Sequence, residues 1–179
     1  MNGIEYIAKI LKAEGIETLT CFPSNPLIEA AAKEGIRTIA FRHERGAVMA
    51  ADGYSRTSQR KRFGVAVVQS QAGAENAMGG IAQAYADNIP ILVMPGGISL
   101  DQIGVKPNFS AVQKYQGWVK QVESVLSPNE VGNVMRRAVN ALRNGPPGPV
   151  VVEMTADVCS LEIPKGFENY HSPKVAEVV

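Results

Sequence analysis

The 179-residue sequence predicts an α/β domain of three layers: a six-stranded, mostly parallel sheet flanked by helices. Three observations carry that expectation. Strand-like runs alternate with segments of helical period along the chain. One of these runs, Phe63-Gly64-Val65-Ala66-Val67-Val68-Gln69, is almost entirely apolar, as strands covered on both faces are. Glycine, asparagine and proline punctuate the junctions.

Asn2-Gly3-Ile4-Glu5 has the spacing of a capping box, and Ile4, Ile7, Ile10 and Leu11 then share one helical face. Gly15 ends that first helix, and residues 17–22 read as a strand. A second helix is expected over residues 26–34, with Asn25 as its cap and Pro26 in its first turn. Gly35 closes it before a strand at 37–41; Gly15 and Gly35 both suit left-handed helix caps. A third helix carries Glu44 to Arg56, and the apolar strand 63–69 follows. A small-residue helix over 74–85 leads to a strand at 90–94. Residues 95–115 have no clean period and form the long loop. A strand near 119–125 precedes Ser127-Pro128-Asn129-Glu130, which reads as a second capping box opening a fifth helix. That helix stops at Asn144-Gly145, and residues 149–154 make the sixth strand. From Pro164 the chain turns polar, so 1–163 reads as the domain and 164–179 as a linker.

Composition narrows the function. Eighteen basic and seventeen acidic residues give a net charge of +1 without a basic face, which argues against nucleic acid as a partner. The basic cluster from Arg56 to Arg62 reads as a solvated loop. No apolar run reaches membrane-spanning length and no export pattern opens the chain, so a cytoplasmic protein is expected. Cys21 and Cys159 read as buried, unpaired thiols of a reducing compartment, and His43 and His171 lack metal-ligand spacing.

Four segments leave strands at their carboxyl ends, where open α/β sheets bind ligands. The first is Arg42-His43-Glu44-Arg45-Gly46-Ala47, continuing to Ala51-Asp52-Gly53-Tyr54-Ser55-Arg56. A glutamate there can simply complement the helix dipole, worth about 0.3–1 kcal/mol. A catalytic role requires a carboxyl shielded from water, and the flanking small residues suit a buried interface. The second, Ser70-Gln71-Ala72-Gly73-Ala74-Glu75-Asn76, opens a helix. It reads either as a ligand-facing loop or as a tight turn capped by Asn76, and it lacks both a full Gly-x-Gly-x-x-Gly and a phosphate-loop lysine. Cys21-Phe22-Pro23-Ser24-Asn25-Pro26 is the third, and Phe109 to Tyr115, on the long loop, the fourth. The first three should line one crevice.

In this order the segments resemble the pyrimidine-binding domain of thiamine-diphosphate enzymes, closest to the acetolactate synthase and pyruvate-oxidase-like group. Phe22-Pro23, the Glu44 segment, Ser70 to Asn76 with Ala86-Asp87-Asn88-Ile89-Pro90, and Gly145-Pro146-Pro147-Gly148-Pro149-Val150 carry the likeness over about residues 1–160. The resemblance implies the thiamine-diphosphate-binding fold, with Glu44 bonding N1′ of the cofactor's aminopyrimidine and so activating it. Pro23, Ser70, Gly73 and Asn76 would line the pyrimidine side, for reaction on a small 2-oxo acid by decarboxylation or carboligation. The family's Ser-Gly-Pro-Gly is Ser70-Gln71-Ala72-Gly73 here. Where it has Phe-Gln-Glu, this chain has Phe109-Ser110-Ala111, so the family's active-site glutamine is missing unless Gln113 stands in for it.

Mg²⁺ and the diphosphate belong, by the same resemblance, to a second domain bearing Gly-Asp-Gly, a motif this sequence lacks. The expected partner is the diphosphate-binding domain of another subunit or chain, in a homodimer or tetramer, with FAD compatible with a full enzyme. The chain then reads as the N-terminal fragment of such an enzyme, inactive alone and leading into a central domain. The alternatives are a natural split subunit of the sulfopyruvate-decarboxylase type and a non-catalytic binding or regulatory module.

Overall fold

Six strands form one sheet in the order β2-β1-β3-β4-β6-β5, every neighbouring pair parallel, in a computed structural model that describes residues 1–175. The last four residues of the expected linker lie outside the described residues. Along the chain run α1 (Gly3–Ala13), β1 (Thr18–Cys21), α2 (Pro26–Lys33), β2 (Arg37–Ala40), α3 (Glu44–Thr57), β3 (Gly64–Val68) and α4 (Ala72–Ala86). They are followed by β4 (Ile91–Pro95), α5 (Val112–Tyr115), β5 (Gln121–Val125), α6 (Val131–Arg143), β6 (Val150–Met154) and α7 (Ala156–Ser160). The expected three-layer α/β class holds, and the sheet is parallel throughout.

Local chemistry starts and stops the helices much as the sequence implies. The Asn2 side chain accepts from Glu5 N at 2.9 Å while the Glu5 carboxylate accepts from Asn2 N at 3.0 Å. Asn25 caps α2 by accepting from Leu27 N. Gly15 and Gly35 follow their helices at φ +80° and +74°, a region glycine enters without steric cost. The second expected capping box does not close. Ser127 Oγ accepts from Asn129 N at 3.4 Å, but Glu130 N donates to the Ser127 carbonyl. The quartet therefore forms a 3₁₀ turn, Pro128–Glu130, ahead of α6. The long loop also holds more order than its composition suggests, with a 3₁₀ turn at Leu100–Gln102 and the one-turn helix α5.

The two faces of the sheet are packed differently. On one, α1, α2 and α6 bury Ile7, Leu11, Leu27, Met135 and Val139 against Leu19, Val67, Leu92 and Val152. On the other, α3 and α4 lie on Ala66, Val68, Ile91 and Val93 through Val48, Ala51, Ala74, Ala77 and Ala84. Small residues bring these helices close: a Cβ on Gly64 would sit 2.1 Å from the Ala51 carbonyl oxygen, and one on Gly80 would sit 2.9 Å from Val48 Cγ1. Ser55 fastens α3 from within. Its hydroxyl donates to Pro90 O at 2.7 Å and accepts from Gly64 N at 2.8 Å.

Of the basic cluster, Arg56 bridges the buried Asp52 at 2.8 Å and Asp87 at 2.6 Å, while Arg60, Lys61 and Arg62 are exposed. The polar tail is irregular as expected, yet it is tied down through residue 174. The Tyr170 hydroxyl donates to Glu14, Ser172 Oγ donates to Glu14 at 3.2 Å, and Asn144 Nδ2 reaches Lys174 O at 3.0 Å.

Candidate functional site

The chain direction reverses across the sheet between β1 and β3: α2 carries β1 outward to β2, whereas α4 leads β3 the other way to β4. Loops at such a switch point part to opposite faces and leave a crevice. Two backbone-directed bonds hold the crevice walls together, Phe22 N to Val67 O at 3.0 Å and Asn25 Nδ2 to Val68 O at 2.9 Å. The loops after β1 and β3 thus lie side by side, as the sequence suggested.

Glu44 opens α3 after β2 and is 2% exposed. The capping task falls to its neighbour, since His43 Nδ1 accepts from Arg45 N at 3.2 Å. The Glu44 carboxylate is directed instead towards α4. Asn76 Nδ2 donates to its Oε2 at 3.1 Å, the one side-chain hydrogen bond it takes among the described residues. Gly73 lies against the other oxygen: a Cβ there would be 2.9 Å from Glu44 Oε1 and 2.4 Å from Gln69 Cβ. A side chain at 73 would therefore occupy the space the carboxylate uses. Asn76 does not cap its own helix; it pairs with Glu44 across the two helices.

The remaining expected residues take different places. Ser70 is half-buried at the start of the loop, and a Cβ on Gly96, beyond β4, would lie 3.5 Å from its own Cβ. Gln71 adopts φ +50°, ψ −107°, a conformation glycine reaches far more cheaply and one that costs of order 1–3 kcal/mol elsewhere. Pro23 is exposed and lines a separate groove of about 460 Å³ with Ile28, Thr38 and Ala40 on the β2 side. Gln113 is exposed on α5. The structure thus brings Glu44, Gly73 and Asn76 into one cluster, sets Ser70 at its border, and leaves Pro23 and Gln113 facing outward.

Two further buried residues lie near this edge: Glu153, outside the four expected segments, and Tyr115, which ends the fourth. Glu153, in β6, is 6% exposed and accepts hydrogen bonds from Ser110, Ala111 and Ser124. Its signal was available, since it is the acid inside the otherwise apolar run Val150-Val151-Val152-Glu153-Met154. Tyr115 is 1% exposed, and its hydroxyl donates to Ala74 O at 2.5 Å. Burial, helped by the charges of Glu75 and Glu153, holds that hydroxyl well above the ordinary tyrosine range, so it stays protonated. Cys159 is pushed up to about 12, mainly by burial, and Cys21 is also raised by burial; both are free thiols. Among the described residues no group of three or more His, Cys, Asp or Glu side chains could hold a metal, and no helix is long and apolar enough to cross a membrane.

A buried carboxylate with one donor partner and free accepting capacity can bond a ring nitrogen and share its proton. It fits the pyrimidine end of thiamine diphosphate, and the missing side chain of Gly73 leaves space beside Glu44 Oε1. Comparison with known proteins agrees. The family described as "Thiamine pyrophosphate enzyme, N-terminal TPP binding domain" matches residues 1–124. The acetolactate synthase large subunit of Lactococcus lactis is 32% identical over 196 aligned positions, covering 98% of this chain and 32% of that protein. A probable acetolactate synthase large subunit of Methanocaldococcus jannaschii is 33% identical, covering 97% and 29% respectively. The Escherichia coli isozyme 2 large subunit is 31% identical, covering 88% and 29%. The chain spans about a third of the length of these relatives. With its all-parallel sheet and buried Glu44, it belongs to the family of N-terminal thiamine-pyrophosphate-binding domains of thiamine pyrophosphate enzymes.

Proposed function

We propose that this chain is the pyrimidine-binding half of a thiamine-diphosphate-dependent 2-oxo acid decarboxylase or carboligase of acetolactate synthase type, with Glu44 as the residue that activates the cofactor. The observation that carries the proposal is the Glu44 carboxylate itself: it is buried, not used for capping, and held by Asn76 beside Gly73. When bound, the cofactor supplies a stabilised carbanion for cleaving or joining bonds next to a carbonyl.

The protein's part is placement and proton handling. Glu44, 2% exposed between α3 and α4, would hold the aminopyrimidine at N1′ and share a proton there, which is what activates the cofactor. Asn76 fixes Glu44 Oε2, and the missing side chain of Gly73 leaves space beside the carboxylate; together these residues would hold the aminopyrimidine. Ser70 borders the same surface, while Pro23 and Gln113 are assigned to the outer rim, where substrate or a neighbouring domain would meet them.

The diphosphate, Mg²⁺ and any flavin are assigned to other domains, because the 179 residues contain no Gly-Asp-Gly. A homodimer or tetramer, in which a partner's diphosphate-binding domain closes over Glu44, follows from the half-site. The isolated chain should turn nothing over. A cytoplasmic setting suits the two unpaired thiols.

The test is hydrogen–deuterium exchange at C2 of thiamine diphosphate in the chain assembled with its diphosphate-binding domain. Glu44→Gln should slow exchange by about 100-fold or more. Exchange at the wild-type rate would refute the role given to Glu44.

A further inference from the structure

We infer that Glu153 is a positioning residue for the Glu44 site: it anchors the long loop that braces the N-terminus of α4. The inference rests on the function proposed above and adds to it a residue remote from the cofactor. Glu153 lies near the carboxyl end of β6, with its side chain buried. Its carboxylate accepts from Ser110 Oγ at 2.9 Å, Ala111 N at 3.2 Å and Ser124 Oγ at 2.8 Å. Among the described residues no cation pairs with it, so neutral donors alone hold a buried acid. That arrangement is demanding to maintain, because each lost donor leaves a buried acceptor unpaired.

The far end of the long loop bonds this carboxylate, and the near end packs beside its side chain. At the near end, Gly97 N donates to Met154 O at 2.7 Å, and a Cβ on Gly97 would be 3.0 Å from Glu153 Cγ. Its neighbour Gly96 packs against Ser70. At the far end, Ser110 Oγ also accepts from Val112 N at 3.3 Å, which fixes the first turn of α5. One turn on, Tyr115 reaches across to Ala74 O. Ala74 follows Gly73 directly and precedes Asn76 by two residues. The loop thus bears on the Glu44 cradle twice, at Ser70 through Gly96 and at Ala74 through Tyr115. Glu153 anchors the second bearing through Ser110 and Ala111 and packs beside the first, whose own hold is the backbone bond from Gly96 N to Val68 O at 3.1 Å.

Two measurements test this. On the 179-residue chain, the NMR signal of the Asn76 side-chain amide, assigned by its loss in Asn76→Ala, reports its bond to Glu44. Glu153→Ala and Tyr115→Phe should both move that signal, whereas Val139→Ala, buried in α6 on the opposite face, should lower stability and leave it in place. In the assembled enzyme, Glu153→Ala should slow C2 exchange of thiamine diphosphate by about 10- to 100-fold, the scale of a small misplacement. Tyr115→Phe should act in the same direction, and the double variant should be no slower than the slower single one, since both lie on one strut. Glu153→Gln keeps an acceptor for Ala111 N and should recover most of the rate. An unmoved Asn76 signal in Glu153→Ala, or effects of Glu153→Ala and Tyr115→Phe that multiply, would overturn the inference. If Glu153→Ala does not fold, Tyr115→Phe decides the matter: an unmoved Asn76 signal in that variant overturns the inference. Should Glu44→Gln leave exchange unchanged, the proposed function fails, and the Asn76 signal still judges Glu153.

Discussion

Replacing Gly73 with alanine probes the site through its packing alone. In an open helix the change stabilises, because alanine is favoured over glycine by about 1 kcal/mol. At position 73 the added carbon would stand 2.4 Å from Gln69 Cβ and 2.9 Å from Glu44 Oε1. Carbon atoms in contact prefer about 3.5–4.0 Å, so the first approach is short by over 1 Å, and Gln69 Cβ is rooted in the backbone rather than at a flexible tip. Overpacking of this kind costs about 1–3 kcal/mol, which cancels or exceeds the propensity gain. Gly53, in α3 with nothing within 4 Å of its would-be Cβ, is the internal control. Urea melts of the isolated chain should therefore give Gly53→Ala a gain of about 0.5–1 kcal/mol and Gly73→Ala a net change of about 0 to −2 kcal/mol. The Asn76 amide signal should move in Gly73→Ala alone. If Gly73→Ala stabilises as much as Gly53→Ala, the cradle beside Glu44 is not closed by sterics and this account of Gly73 is wrong.

Other predictions follow from the same packing. Ser55→Ala would strand the Gly64 N–H and the Pro90 carbonyl in the interior; a loss of about 2–3 kcal/mol is expected in urea melts, and a loss under about 0.5 kcal/mol would contradict the assigned bonds. Stability should also fall at alkaline pH. Cys159 titrates near 9.0 when unfolded and at about 12 when folded, so its contribution is complete below pH 9 and declines from there to about 12. In that window the unfolded chain binds fewer protons, and the slope is about −1.4 kcal/mol per pH unit for this group. Cyanate-free urea melts of Cys159→Ala should show a slope shallower by that amount between about pH 9 and pH 11; an unaltered slope would place the thiol outside the buried environment.

Much of the architecture was legible because it is written locally. The Asn2 to Glu5 box, the glycines at 15 and 35, and the apolar run before Ser70 each announce an element within a few residues. The Ser127 quartet misled because Pro128 lacks an N–H and the turn tightened to 3₁₀, leaving Glu130 to close it through the backbone. Helix α5 spans four residues, too few for any period to register. At the site, Glu44 stood out from its small neighbours, but its partner Asn76 is 32 positions away on another helix, and no local pattern couples them. Glu153 carried no sequence signal of its role beyond being an acid in an apolar run, because its three donors come from two separate segments.

The two unlike faces of the sheet imply unequal freedom to change. Behind α1, α2 and α6, bulky aliphatic side chains can trade volume with one another, and sequence drift there should be broad and mostly silent. Behind α3 and α4, where helix backbone lies almost directly on the strands, there is no volume to trade. A saturation screen should therefore show one permissive wall and one nearly frozen wall, with the frozen one tracing the ground on which Glu44 and Asn76 stand.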